Sequence, residues 1–190
     1  MPIIQVTLIE GCADAAKARL RRALSAAARM AIPAPPEGSV ATISEAAPAG
    51  DPRGGRPTAP AAPAPDPEET VRAFLAALEA RDLEAARARL APGAVMTFPG
   101  GAVFETLEAL IDWARPRYRS VGKTVERVET LPGEGCAVVW CVGALHGVWP
   151  DGAPFEGIRF VDRFEIADGL IRRQDVWNDM GEARRAAGAA

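Results

Sequence analysis

The spacing of apolar side chains divides the chain into two patterned regions. Residues 3–9 are rich in β-branched side chains, as a short strand would be, and residues 13–31 carry apolar positions at helical spacing. Residues 40–44 read as a second short strand. The pattern therefore predicts an N-terminal β-α-β unit over residues 1–45.

A second, longer pattern begins at residue 67. Two helical stretches fill residues 68–90, with an apolar face on the first, and a third helix follows a short strand and turn at residues 105–118. The period of apolar positions then changes to two. Four consecutive antiparallel strands are predicted at residues 124–131, 136–149, 155–166 and 170–178. Helices followed by such a meander indicate an α+β domain, with helices packed on one face of a curved antiparallel sheet.

The stretch between these regions, residues 46–66, contains six prolines and no Leu, Ile, Val or aromatic residue. Such a segment cannot bury enough apolar surface to offset the entropy of ordering, so we expect a flexible Pro/Ala-rich linker. The predicted folded parts are therefore residues 1–45 and 67–183, and residues 184–190 are predicted as a disordered tail.

Composition narrows the classes of partner and location. The formal net charge is −3 and the basic residues are scattered among acids, which argues against nucleic acid or a membrane surface as a partner. No apolar run approaches the roughly 18 residues of a membrane span, and the start does not resemble a signal peptide. Three cysteines, an odd number, indicate a reducing compartment. We therefore expect a cytoplasmic protein whose partner is a small molecule.

The predicted β-α-β unit is small for a stable fold. A unit of about 45 residues rarely supplies its own core, because the fraction of surface that folding buries falls with chain length. The unit should therefore be completed by self-association or by the second patterned region, and we expect the protein to form a homo-oligomer.

An acidic residue interrupts an apolar row in the third predicted strand of the meander. Alternation places Asp162 on the same face as Phe160 and Phe164. If Asp168 and Gly169 form a two-residue turn, Asp162 faces Asp175 on the next strand. Opposed carboxylates in an apolar pocket could serve as general acid and general base.

A structural interpretation of these acids stays open. Asp162 could pair with Arg173 or a helix-terminal N–H inside the core, with Asp175 at the pocket rim. His146, the only histidine, is more typical of a packed core residue than of a catalyst. No metal-ligand spacing or phosphate-binding glycine loop is present in the sequence, so neither metal nor cofactor is predicted. The predicted substrate-binding side chains are His146, Phe160, Trp177, Phe98, Tyr118 and Trp140.

The run from VRAFLAALEARDLEAARARLAPGAVMTFPGG to FVDRFEIADGLIRRQDVWND resembles the SnoaL-like polyketide-cyclase and ketosteroid-isomerase superfamily. The resemblance implies a cone-shaped fold with a pocket between helices and sheet, in a dimer formed through this domain. It implies that Asp162 is an acid that hydrogen-bonds an oxyanion and that Asp175 is the acid-base residue of the cyclases. The isomerase base and tyrosine positions are Phe98 and Phe74 here, which predicts against steroid isomerisation.

MPIIQVTLIEG followed by DAAKARLRRALSAA resembles the 4-oxalocrotonate tautomerase family. The resemblance implies that removal of Met1 exposes the secondary amine of Pro2 as a general base, and burial would bring such an amine's pKa towards neutrality. The family commonly has an arginine where this chain has Cys12, and the strand VATISE carries none. The unit could therefore act in catalysis or only in assembly.

These observations predict a cofactor-independent enzyme that isomerises, tautomerises or cyclises a small carbonyl compound. Pro2, Asp162 and Asp175 are the predicted catalytic residues. The main alternative is a non-catalytic oligomerising unit joined to a domain that binds an apolar ligand. Hydration or hydrolysis in the same pocket is a third possibility.

Overall fold

The structure is a computed structural model that describes residues 2–32, 35, 38, 40–47 and 65–188. The chain folds as two compact units, residues 1–63 and 64–190. Most of the predicted linker, residues 48–64, lies outside the described residues.

The first unit has the predicted order of strand, helix and strand. Strand β1 spans Ile3–Ile9, helix α1 spans Asp14–Ala31, and strand β2 spans Val40–Ala46. The two strands pair in parallel, which a crossover through a helix allows. No residue of α1 is buried, so this unit has little core of its own.

The second unit combines a six-stranded sheet with four helices among its described residues. The helices are α2 (Pro67–Glu79), α3 (Leu83–Arg87), α4 (Leu107–Ala114) and α5 (Met180–Gly188). The strands are β3 (Leu90–Phe98), β4 (Ala102–Phe104), β5 (Ser120–Gly133), β6 (Cys136–Val148), β7 (Pro154–Ala167) and β8 (Leu170–Asn178). The sheet order is β4-β3-β8-β7-β6-β5, and only the β3–β8 pair among these is parallel.

The α+β class and the four-strand meander are confirmed. Two boundaries differ from the prediction in ways that matter for the site. Strand β5 begins at Ser120 rather than at residue 124. Residues 184–188 form the last turns of α5, so the prediction of a disordered tail is wrong for them.

Local sequence signals explain where the main helices begin and end. Asp66 caps α2 by accepting a hydrogen bond from the backbone N–H of Glu68, and Pro67 occupies the first turn. Thr106 caps α4 in the same way. This helix ends at Ala114, two residues before Pro116, whose ring would clash with a continuing helix.

The core lies between the helices and one face of the sheet, here called the inner face. Alternate residues of β7 point into it, so Phe160, Asp162 and Phe164 are buried in one row, as the sequence predicted. Phe74 of α2 packs edge-to-face on Phe164, with ring centroids 6.1 Å apart. The opposite face of the sheet is here called the outer face.

The β7–β8 hairpin departs from the predicted register. Asp168 and Gly169 form its turn with positive φ angles of 54° and 78°, and Ile166 faces Ile171 as predicted. A β-bulge follows, because Glu165 faces Arg173 and Arg172 has no partner in the register.

That one extra residue reverses the direction of every later side chain in β8. Asp162 consequently faces Val176, and Asp175 faces Arg163. The prediction that Asp162 faces Asp175 is therefore wrong, and the two acids do not form a dyad.

Candidate functional site

A cavity of about 950 Å³ opens within the second unit. Its walls come from the end of β3, the α4–β5 connection, the inner face of the sheet and α5. The lining is largely apolar and aromatic, with five charged side chains among its residues: Phe98, Trp113, Arg117, Tyr118, Val121, Lys123, Leu145, Trp149, Phe160, Val176, Asn178, Met180, Glu182, Arg184 and Arg185. Such a concave, mostly apolar space with a few polar groups is typical of a small-molecule site.

An ion pair lies at the sheet side of this cavity. Lys123 of β5 lines the cavity and donates a hydrogen bond through Nζ to Oδ2 of Asp162 in β7. The Asp162 side chain is 0% exposed, whereas that of Lys123 is 21% exposed. Burying a lone carboxylate costs several kcal/mol, so Lys123 is the partner that makes the buried aspartate tolerable.

Two neighbours fix the position of this pair. Gln174 of β8 donates from Nε2 to the same Oδ2 of Asp162 at 3.3 Å. The Lys123 ammonium also lies 4.6 Å from the centroid of the Phe160 ring, within cation–π distance. Oδ1 of Asp162 and Oε1 of Gln174 have no hydrogen-bond donor among the described residues. The carboxylate therefore has unused acceptor capacity, and Lys123 is the only charged residue among those described that donates a hydrogen bond to it.

Two further ionisable groups, one opposite Asp162 and one in the cavity wall, are kept neutral. Burial, and then the charge of Asp162, raise the pKa of the Cys141 thiol to about 11. Burial also raises the pKa of Tyr118, although Arg81 and Arg117 oppose this effect. Tyr118 thus presents a neutral phenol to the cavity, able to donate a hydrogen bond.

Three of the six predicted substrate-binding residues, Phe98, Tyr118 and Phe160, line the cavity. Trp140 and Trp177 instead stack on each other on the outer face, with ring centroids 6.2 Å apart. Trp177 is 52% exposed there. The structure therefore separates the two tryptophans from the cavity that the sequence predicts them to line.

His146 is also absent from the cavity wall. Its ring is exposed and covers Gly122, such that a Cβ added to this glycine would lie 2.4 Å from Nε2. His146 is therefore not the packed core residue that the sequence analysis had expected. Its predicted contact with a substrate is not supported by this position either.

Asp175 lies on the outer face between two arginines. Nε of Arg173 donates to both of its carboxylate oxygens at 2.9 Å, and Nη1 of Arg163 donates at 3.3 Å. The structural interpretation of the acids anticipated an ion pair for Asp162, but with Arg173 as the partner. In the structure Arg173 forms an ion pair with Asp175, and Asp162 forms one with Lys123.

Lys123 is the site residue that the sequence analysis missed. It lies between Val121 and Val125, so alternation places it on the inner face once the strand is extended to Ser120. The chain contains only two lysines against twenty arginines. The signal that could have identified Lys123 was a lysine in a row of alternating apolar residues. The predicted strand began at residue 124 and therefore did not include this lysine.

Pro2 belongs to the first unit and is partly exposed. Its carbonyl oxygen accepts a hydrogen bond from the N–H of Val40 at 3.2 Å, and Met1 is outside the described residues. The role of Pro2 as a base stays a prediction. Within the described ranges, no three His, Cys, Asp or Glu side chains gather as a metal site would require.

Comparisons with known proteins bear on the second unit. A family model described as SnoaL-like domain matches residues 71–174. An NTF2-like protein of unknown function from Burkholderia pseudomallei is 20% identical, and the match covers 62% of this chain and 94% of that one with a TM-score of 0.53. A putative SnoaL-like polyketide cyclase from a Jannaschia species is 22% identical, with 65% and 92% covered and a TM-score of 0.51.

A third structure, TerC co-crystallised with polyporic acid, is 16% identical, with 62% and 95% covered and a TM-score of 0.52. At these identities the likeness shows the fold alone. The comparison with curated proteins gave no match. Among the helices that the structure describes, none has the length and apolar character to cross a bilayer.

Proposed function

The chain belongs to the SnoaL-like domain family through residues 71–174, and from this premise we propose that its cavity binds a small apolar carbonyl compound and catalyses proton transfer on it. The reaction would be an isomerisation, tautomerisation or cyclisation. The observation that carries the proposal concerns Lys123. Its ammonium group lines the apolar cavity and forms an ion pair with the fully buried carboxylate of Asp162.

Lys123 would stabilise the negative charge that develops on the carbonyl oxygen. Removal of a proton from the α-carbon breaks a C–H bond and moves the electron pair onto oxygen, giving an enolate. A preorganised ammonium in a mostly apolar cavity stabilises such an oxyanion more than an ammonium in bulk water does. The neutral phenol of Tyr118, which lines the same cavity, would be a second donor.

Asp162 would act through Lys123 as a positioning residue, because its side chain is fully buried beneath the ammonium. This replaces the direct acid role expected from sequence. The base would be Glu182 of α5, the one carboxylate among the lining residues. Glu182 would take the α-proton and return it to another atom of the enolate. Asp175 would have only a structural role, through its ion pairs with Arg163 and Arg173 on the outer face.

Exchange of α-protons for deuterium in benzoylacetone, followed by NMR in D₂O, tests this proposal. The wild-type protein should accelerate exchange over buffer, and Lys123→Met should lower that acceleration by about 100-fold or more, as loss of an oxyanion donor does. Glu182→Gln should also slow exchange. Lys17→Met is a matched control, since Lys17 is the only other lysine and belongs to the first unit. Equal exchange rates in wild type and Lys123→Met would contradict the proposal.

A non-catalytic, ligand-binding function is the second candidate. It is favoured by the aromatic rings of Phe98 and Trp113 in the cavity wall, which pack on each other and on Phe104 with ring centroids 5.4 to 5.9 Å apart. Apolar ligands bind such walls without chemistry. Saturable binding of diketones with no acceleration of exchange would favour this candidate.

Three expectations from the sequence remain proposals. The first unit would use Pro2 as a base, which requires that Met1 be removed, and intact mass of the purified protein tests that requirement. The protein would be a cytoplasmic homo-oligomer, and light scattering during gel filtration tests its assembly.

A further inference from the structure

The charged residues of the cavity wall differ in what neutralises them. Four basic side chains line the cavity against one acidic one. Lys123 is paired with Asp162, Arg184 with Asp151 at 2.7 Å, and Arg185 with Glu182 at 2.7 Å. Three of the four cations therefore already have a carboxylate partner.

Arg117 is the exception, because it has no carboxylate partner among the described residues. Its guanidinium carbon lies 4.0 Å from the centroid of the Trp113 ring, and both residues line the cavity. Trp113 itself is held by Phe98 and Phe104, at centroid distances of 5.7 and 5.4 Å. The arginine thus lies on a fixed aromatic platform at the cavity wall.

Stacking leaves the hydrogen-bonding capacity of an arginine free. The ring contacts the flat face of the guanidinium, whereas its N–H groups point outwards in the guanidinium plane. That fork matches the two oxygens of a carboxylate, and a bidentate pair of this kind is among the stronger hydrogen-bonded contacts. The charge of Arg117 is also felt inside the cavity, where it lowers the pKa of Tyr118 against the effect of burial.

We propose that Arg117, stacked on Trp113, binds a carboxylate of the substrate, so that the cavity prefers apolar keto acids to neutral ketones. This inference rests on the proposed function for the carbonyl end of the ligand, which Lys123 would hold. The carboxylate would lie at Arg117, and the apolar body would fill the space lined by the aromatic side chains. Arg117 is a binding residue in this scheme and takes no part in proton transfer.

Binding of benzoylpyruvate and of its methyl ester, measured by calorimetry, tests the inference. The wild-type protein should bind the acid about tenfold tighter than the ester, and added salt should reduce this preference. Arg117→Gln should weaken binding of the acid about tenfold and leave the ester within twofold. Arg117→Lys keeps the charge but loses the fork and much of the stacking, so it should fall between them.

Arg115→Gln is the matched control. Arg115 is exposed, pairs with Asp112 at 2.8 Å and does not line the cavity, so this variant should bind both probes as wild type does. Equal affinity of wild type for acid and ester, equal effects of the Arg115 and Arg117 variants, or no binding of either probe at millimolar concentration would each overturn the inference.

Proton exchange on the same two probes separates this inference from the proposed function. If Arg117 governs binding of the acid but Lys123→Met leaves exchange unchanged, the catalytic proposal fails and the carboxylate site stands. If exchange requires Lys123 but is indifferent to Arg117 and to esterification, the carboxylate site fails and the catalytic proposal stands.

Discussion

Two aspartates on opposite faces of the sheet differ in their burial and in their ion-pair partners. Asp162 on β7 is fully buried with one lysine, beneath a cavity. Asp175 on β8 is 12% exposed and lies between two arginines, whose own side chains are 24% and 47% exposed. Both acids make ion pairs, but only the pair of Asp162 reaches a space that a ligand could enter.

The difference shows that a carboxylate's surroundings, and not its place in a sequence motif, decide what chemistry it can support. A charge pair in a low-dielectric environment is strong and is sensitive to the loss of either member. A pair near water is weaker because solvent already screens it. We therefore expect the same substitutions to have different consequences on the two faces.

The largest difference is expected when the cation of each pair is removed. Lys123→Met should lower the free energy of unfolding by about 3 kcal/mol, because it leaves Asp162 buried without a charged partner. Arg173→Met on the outer face should cost less than about 1 kcal/mol, because solvent screens its pair with Asp175. Unfolding by urea measures both values.

A double variant shows whether the orphaned charge is the cause. Lys123→Met combined with Asp162→Leu removes both members of the buried pair and should be more stable than Lys123→Met alone. Equal losses for Lys123→Met and Arg173→Met, or no recovery in the double variant, would mean that the two faces do not differ in this way.

The next prediction, of intermediate size, concerns the reactivity of the Cys141 thiol beside Asp162. Cys141 lies on β6 directly opposite Asp162, and its pKa is raised to about 11. Only about 0.1% of such a thiol is ionised at pH 8, and the thiolate is the reactive form. Cys141 should therefore react with iodoacetamide about 100-fold more slowly than Cys136, which is partly exposed at the start of the same strand.

The pH dependence of that labelling follows from the direction of the shift. Below its pKa a thiol gains about tenfold more thiolate with each pH unit, so the rate of Cys141 labelling should keep rising until about pH 11 before it levels off. Mass spectrometry of peptides after timed labelling measures both cysteines in one sample. Comparable rates for the two at pH 8 would contradict a buried, neutral thiol beside Asp162.

The sequence predicted the fold well because the fold depends on repeated, local signals. Turn residues and the alternation within each strand located the meander and placed Asp162 in the inward-facing row. The bulge at Arg172 could not be predicted in this way, since a single unpaired residue leaves no clear mark on the surrounding pattern. Its effect was large, because it moved Asp175 and Trp177 to the outer face.

The site was less predictable than the fold for a related reason. Lys123 and Asp162 come from β5 and β7, with β6 lying between them in the sheet. An ion pair across an intervening strand depends on the register of two hairpins and on the curvature of the sheet, and neither is a property of one sequence segment. Phe98 and Tyr118 were predictable as wall residues, because large apolar side chains near a turn or helix end have few other places to lie.

The smallest predicted effect concerns Asp175 itself. Asp175→Asn should lower the free energy of unfolding by about 1 kcal/mol or less, because the amide oxygen can still accept from Arg173 and solvent screens the remaining charges. The isosteric Asp162→Asn should cost more, because it places an uncompensated Lys123 against a buried amide. Exchange of benzoylacetone α-protons should be unchanged in Asp175→Asn and reduced in Asp162→Asn. If Asp175→Asn abolished exchange while its stability held, the outer face would contribute to the reaction, and the assignment of chemistry to the inner face alone would be wrong.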